Sequence, residues 1–155
     1  YPNQAAGKEF LDVFSINSYK IDPTPVLTAV ADIVKMPVMI GEFHFGALDV
    51  GVAATGIIGV ENQEERGKAY QYYLEKSAAM PECVGVQYFI LNDQMTLGRP
   101  DGENYQIGFV DCCHRPYAPI VEGALRAHAR MYDVHAGALP PTDVVPKKIT
   151  PNMAS

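Results

Sequence analysis

"MPVMIGEFHFGALDVG", Met36 to Gly51, opens on a proline-led apolar run and ends in a glycine-dotted loop. Val38 to Phe43 is apolar at nearly every position except Glu42. A short apolar run of this kind reads as a strand covered on both faces, the pattern of a parallel sheet. Side chains alternate along a strand, so Val38, Ile40, Glu42 and His44 point to one side if the strand stays regular that far. Glu42 then emerges where the apolar layers stop.

The flanking stretches extend the same pattern. "DVFSINSY", Asp12 to Tyr19, is rich in β-branched and aromatic residues and reads as a strand. Thr24 is placed to cap a helix with Pro25 at its first position, and Val26, Leu27, Val30, Ile33 and Val34 share a helical face. Beyond a long loop, Asn62 and Glu65 form a capping-box pattern for a helix that stops before Pro81. "CVGVQYFILND" is a third apolar strand, followed by a polar loop with the turn signal "RPDGEN". "IGFVD" is a candidate short extra strand. The last helix covers roughly Tyr117 to Tyr132, with Ile120, Val121, Ala124, Leu125, His128 and Tyr132 on one face. We divide the chain into a βα portion, residues 1–136, and a proline-rich extended or disordered tail, residues 137–155.

Sustained βα alternation with buried strands means α/β architecture with a parallel sheet. An open doubly wound sheet and a part of a (β/α)₈ barrel both fit. No glycine-rich phosphate-binding signature follows any strand. A complete barrel needs about 250 residues, and this chain has 155.

Composition narrows the function classes. The formal net charge is −6 with no basic stripe, which argues against nucleic acid or an anionic membrane surface. No stretch approaches the roughly 20 apolar residues of a membrane span. Three cysteines give no disulfide framework, and Cys112, Cys113 and His114 lack the second ligand pair of a structural zinc site. No metal or cofactor is expected.

In either architecture chemistry sits at the carboxyl ends of the strands. The first end presents Asn17 and Tyr19, the second Glu42 and His44. The third presents Gln87 and Tyr88 and leads into Asp93 and Gln94. Glu103 and Asn104, in the turn beyond, belong to the same mouth or only to the turn. His44 is either a hydrogen-bonded structural histidine or a ligand, and Tyr19 and Tyr88 are either packing or sugar contacts. The Glu64, Glu65, Arg66, Lys68 cluster reads as a solvated helix face. A carboxylate at a strand end suits a retaining glycosidase, which pairs a nucleophile with an acid/base. Tyr19, on the preceding strand, is placed to donate a hydrogen bond to Glu42.

The ordered set "IGEFHFGALDVG", "NQEERGKAYQYYLEKS" and "VGVQYFILNDQMTLGRPDGENYQIGFVD" resembles the C-terminal part of the β-agarases of glycoside hydrolase family 50, within the retaining clan A hydrolases that include β-galactosidases. The resemblance implies the last three or so βα units of a (β/α)₈ barrel and an oligosaccharide or polysaccharide substrate containing galactose. It makes Glu42 the nucleophile with Tyr19 beside it. Their places at the strand ends and in the turn lead us to expect Asn17, His44, Gln87, Tyr88, Asp93, Gln94, Glu103 and Asn104 to bind substrate. Tyr88 stands where relatives carry a tryptophan platform. The acid/base glutamate lies ahead of this chain, so the isolated fragment is expected to be inactive. Bare sheet edges lead us to expect self-association. A non-catalytic carbohydrate-binding or structural fragment is the alternative.

Overall fold

The computed structural model describes residues 6–152. Three strands, β1 (Phe14–Asn17), β2 (Val38–Phe43) and β4 (Cys83–Tyr88), form a parallel sheet in the order β1-β2-β4. Helix α1 (Thr24–Val34) links the first pair and α2 (Gln63–Ala78) the second, and α3 (Ala118–His135) follows β4. A short strand β3 (Gly59–Val60) lies in the loop between β2 and α2 and pairs antiparallel with β5 (Lys148–Ile149). The architecture is mixed α/β with a parallel sheet. "IGFVD" is not a strand: Val110 makes only isolated bridges, to Asn92 and Pro116.

The helices cover one face of the sheet. Val38, Ile40 and Phe43 of β2 are buried with Leu27, Val30 and Val34 of α1 and Tyr70 and Tyr73 of α2. The Phe43 and Tyr73 rings stack at 4.1 Å, the central contact of this layer. Helix α1 begins at Thr24, and the Asp22 carboxylate accepts from the Thr24 amide, so Asp22 supplies the cap expected of Thr24. At α2 the Asn62 side chain accepts from the Glu65 amide at 3.0 Å. The Glu65 carboxylate does not complete the capping box. It turns to Lys68 Nζ and the Lys147 amide instead.

Two sequence expectations about helix faces are corrected. Helix α3 buries Ile120, Gly123, Ala124, Ala127 and Val134, whereas Leu125 is 64% and Tyr132 77% exposed. The cause is a glycine contact. A Cβ on Gly123 would lie 2.2 Å from Gly67 O, and one on Gly67 would lie 2.2 Å from Pro119 O. The two backbones touch there, and that approach sets which side of α3 faces inward. The presumed solvated face of α2 is also wrong for two members, since Glu65 and Arg66 are buried.

The proline-rich segment runs extended and is held along the molecule. The Thr142 amide donates to Glu75 Oε2 and the Lys147 amide to Glu65 Oε2, each at 2.7 Å. Ten helical residues rise about 15 Å, and five extended residues reach about 17 Å. The segment therefore runs back along α2 from Glu75 to Glu65. Further on, the Asn152 amide donates to Thr55 Oγ1 and its carbonyl accepts from the Thr55 amide, each at 2.8 Å. No helix among the described residues is long and apolar enough to cross a membrane.

Candidate active site

Glu42 reaches the site through an irregularity in β2. Ile16 pairs with Ile40, but Asn17 pairs with Glu42, so β2 carries one extra residue, Gly41. A Cβ on Gly41 would lie 2.6 Å from Ser15 Oγ and 3.0 Å from Asn17 Oδ1, so the bulge needs glycine there. The extra residue shifts the alternation by one. Val38, Ile40 and then Phe43 face the helices. Glu42 turns to the opposite face instead, with Gly41 and Asn17. The expectation that Val38, Ile40, Glu42 and His44 share one side is thus overturned, and the bulge is the reason.

On that face the Tyr19 hydroxyl donates to Glu42 Oε2 at 2.6 Å, in the short range of charge-assisted O–H···O bonds. Burial raises the Tyr19 proton affinity well above that of an ordinary tyrosine, and the Glu42 carboxylate and the Glu103 charge add to it. Tyr19 therefore remains a donor throughout the working range of pH. Asn17 and Gln87 are exposed, and Glu42 is half-buried.

The remaining candidates divide into those near Glu42 and those that build the loops. His44 is 2% exposed, and its Nε2 accepts from the Ile57 amide at 2.9 Å. Its ring lies 4.7 Å from that of Tyr19. Burial, and secondarily the Arg66 charge, pushes its pKa down to about 3, so the imidazole is neutral. Tyr88, expected as a sugar platform, packs on the helix side among Phe43, Tyr70 and Phe109. Its hydroxyl meets both the amide and the carbonyl of Phe45.

Asp93 and Gln94 are buried loop anchors. Asp93 accepts from the Gly108 amide at 2.7 Å and the Tyr117 hydroxyl at 2.6 Å. Gln94 Oε1 accepts from the Tyr105 amide, and its Nε2 donates to Glu103 at 2.7 Å. Glu103 is also paired with Arg99 at 3.1 Å. Asn104 Nδ2 donates to Thr96 O. Among the described residues no group of three or more His, Cys, Asp or Glu side chains is gathered for a metal, and Cys112 and Cys113 are exposed free thiols.

Sequence reading missed Arg66 and Phe89. Arg66 is 0% exposed and donates to Phe45 O, Gln63 Oε1 and Gly108 O at 2.7–2.8 Å, stitching together the loops that follow β2 and β4. The helical spacing held the signal: Arg66 lies at i to Ala69, Tyr70 and Tyr73 on the buried stripe. Phe89 packs against the cluster of Ala54, Tyr105 and Ile107, and its ring lies 6.5 Å from His44. Phe89, rather than Tyr88, is the aromatic of β4's end that adjoins the Tyr19–His44 pair.

No family model matches the chain. Beta-agarase B of Vibrio sp. (strain JT0107) is 39% identical over 129 residues, which cover 79% of this chain and 13% of that protein. Beta-agarase A of the same strain is 33% identical over 141 residues, covering 87% of this chain and 14% of that protein. Among solved structures, an agarase superposes with a TM-score of 0.79 at 39% identity, over 84% of this chain and 20% of that one. An exo-beta-agarase superposes with a TM-score of 0.81 at 36% identity, over 86% and 18%. A Faecalibacterium prausnitzii beta-glucuronidase, at 20% identity and a TM-score of 0.58, over 80% and 23%, shares the fold. Over most of its own length the chain is β-agarase-related, and it spans a small part of the length of those enzymes.

Proposed function

We propose that this chain is the C-terminal part of a (β/α)₈ retaining glycoside hydrolase that cleaves agarose or a similar galactose-containing polysaccharide, with Glu42 as its nucleophile. The 2.6 Å hydrogen bond from the Tyr19 hydroxyl to Glu42 Oε2 carries the reading. It joins the ends of two neighbouring parallel strands on the face turned away from the helices, where this architecture places its chemistry. Tyr19 holds one carboxylate oxygen and orients the other for attack on the anomeric carbon. The product of that attack is a glycosyl ester on Glu42, which water then hydrolyses.

The first step also needs a carboxylic acid about 5–5.5 Å from the nucleophile to protonate the leaving oxygen. Glu103 is poorly suited to that role, because it accepts from both Gln94 and Arg99. We assign the proton donor to a strand outside this chain. Asn17 and Gln87, exposed on the Glu42 face, are suited to pairing with sugar hydroxyls.

The test uses the longer polypeptide that includes the rest of the barrel. Glu42→Ala should lower hydrolysis of agarose oligosaccharides at least about 10³-fold. Azide should restore turnover by entering the vacated space, yielding a glycosyl azide of inverted configuration. Retained hydrolysis in the variant, or no azide adduct, would remove Glu42 from the nucleophile role.

A further inference from the structure

Histidine at position 44 combines a hydrogen-bond acceptor with an aromatic ring. Its Nε2 accepts from the buried Ile57 amide, and its ring face lies 4.7 Å from the Tyr19 ring at an interplanar angle of 53°. Phenylalanine would keep the ring but leave the Ile57 amide unpaired, which costs roughly 1–3 kcal/mol in a buried site. Glutamine would accept from that amide but give Tyr19 no ring to rest on.

The loop backbone is built to the shape of this imidazole. Gly56 has φ +69°, and a Cβ there would lie 2.6 Å from His44 Nε2 and 3.0 Å from Tyr105 Cδ2. Because Nε2 accepts and the ring is neutral, the ring proton sits on Nδ1. That atom is buried and finds no partner among the described residues. The ring is closed off from solvent at 2% exposure.

We propose that His44 is a positioning residue: locked as the Nδ1–H tautomer by the Ile57 amide, its ring seats the Tyr19 ring so that the Tyr19 hydroxyl stays on Glu42. The chain of contact runs from the Gly56–Ile57 backbone through His44 and Tyr19 to the carboxylate. The kinetic consequence rests on Glu42 acting as nucleophile, whereas the structural consequence does not.

Two measurements separate these. In the 155-residue chain, nitrogen NMR should show a pyridine-like Nε2 and a pyrrole-like Nδ1 for His44. A hydroxyl proton held in a 2.6 Å bond to a carboxylate should give a downfield, exchange-protected resonance, assigned by its loss in Tyr19→Phe. His44→Gln should abolish that resonance. Gly56→Ala, which presses on the ring without removing it, should shift it in a chain whose amide spectrum is otherwise retained. An unchanged resonance in either folded variant, or a pyrrole-like Nε2, overturns the proposal.

In the longer enzyme His44→Gln should lower kcat about tenfold with little change in KM, and cost less than about twofold when added to Tyr19→Phe. Equal losses in both backgrounds would show that His44 does not act through Tyr19. The NMR arm decides the seating of Tyr19 even where the Glu42 variants show that another residue is the nucleophile.

Discussion

His44 shows how a single residue can carry a pH dependence unrelated to catalysis. Its pKa is pushed down to about 3 in the fold, by burial first and by Arg66 second, from 6.5 in the unfolded chain. Between those values the unfolded chain binds a proton that the folded chain does not. Stability is therefore complete above pH 6.5 and declines as pH falls, by up to about 1.4 kcal/mol per pH unit from this group. Denaturant titrations from pH 7 to pH 4 should show that slope, and it should be absent in His44→Gln. Arg66 contributes through its hydrogen bonds instead. Arg66→Met leaves Gly108 O and Gln63 Oε1 without their donor and Phe45 O with the Tyr88 hydroxyl alone. The loss should be about 3 kcal/mol or more, read as a fall of about 10 °C in Tm for a chain of this size. A melt within about 3 °C of the parent would show that these carbonyls find other donors. At this scale the pairing of Tyr19 with Glu42 was legible, because adjacent parallel strands bring their ends together. The side on which Glu42 emerges was not. That depends on one inserted residue at Gly41, and an alternation count cannot register a bulge.

The elements themselves were legible where periodicity and capping agreed. The three strands, α1 and α2 follow their apolar patterns, and Asn62 caps α2 as its sequence indicates. The inward face of α3 was not legible, because the Gly67–Gly123 contact sets it and small residues leave no hydrophobic signature. The docking of the C-terminal segment was hidden for a related reason. It is held by backbone amides on Glu65 and Glu75, by the Thr55–Asn152 exchange and by the β3–β5 pair, and none of these leaves an apolar pattern. This strap fastens the loop that follows Glu42 and His44, since β3 and Thr55 both lie in that loop. Ending the chain after Ala138 should therefore loosen the loop as well as remove the tail. Glu75, fully buried, would lose the Thr142 amide and the Pro140 contact that helps to place Arg130. Hydrogen exchange should rise at Thr55 and Glu61, whose amides donate to Asn152 O and Lys147 O, more than at Ile40 or Val86. Equal protection with and without the tail would mean that the loop stands by itself.

At the scale of the whole molecule the sheet is open on both sides. Among the described residues β1 and β4 each pair with β2 alone, so each presents one unpaired edge. Beside β4 an apolar groove is lined by Leu74, Val86, Met131 and Tyr132, continuous with Val84, which is exposed. In the reading proposed above, the remainder of a barrel covers these edges. In the isolated chain another copy is the available partner, because exposed parallel edges with apolar flanks pair readily. Sedimentation of the chain should then show a weight-average mass that rises with concentration. Val84→Lys places a charge at the edge of β4 and should return the chain toward monomer without unfolding it. A monomer at all concentrations in the unsubstituted chain would show that the edges are protected. An association that Val84→Lys leaves intact would place the contact on β1 or on the Glu42 face instead. The same preparation should not hydrolyse agarose oligosaccharides, since pairing two copies supplies a second Glu42 but no proton donor beside the first. Activity that tracked the dimer fraction would therefore count against the assignment of the acid/base to another part of the barrel.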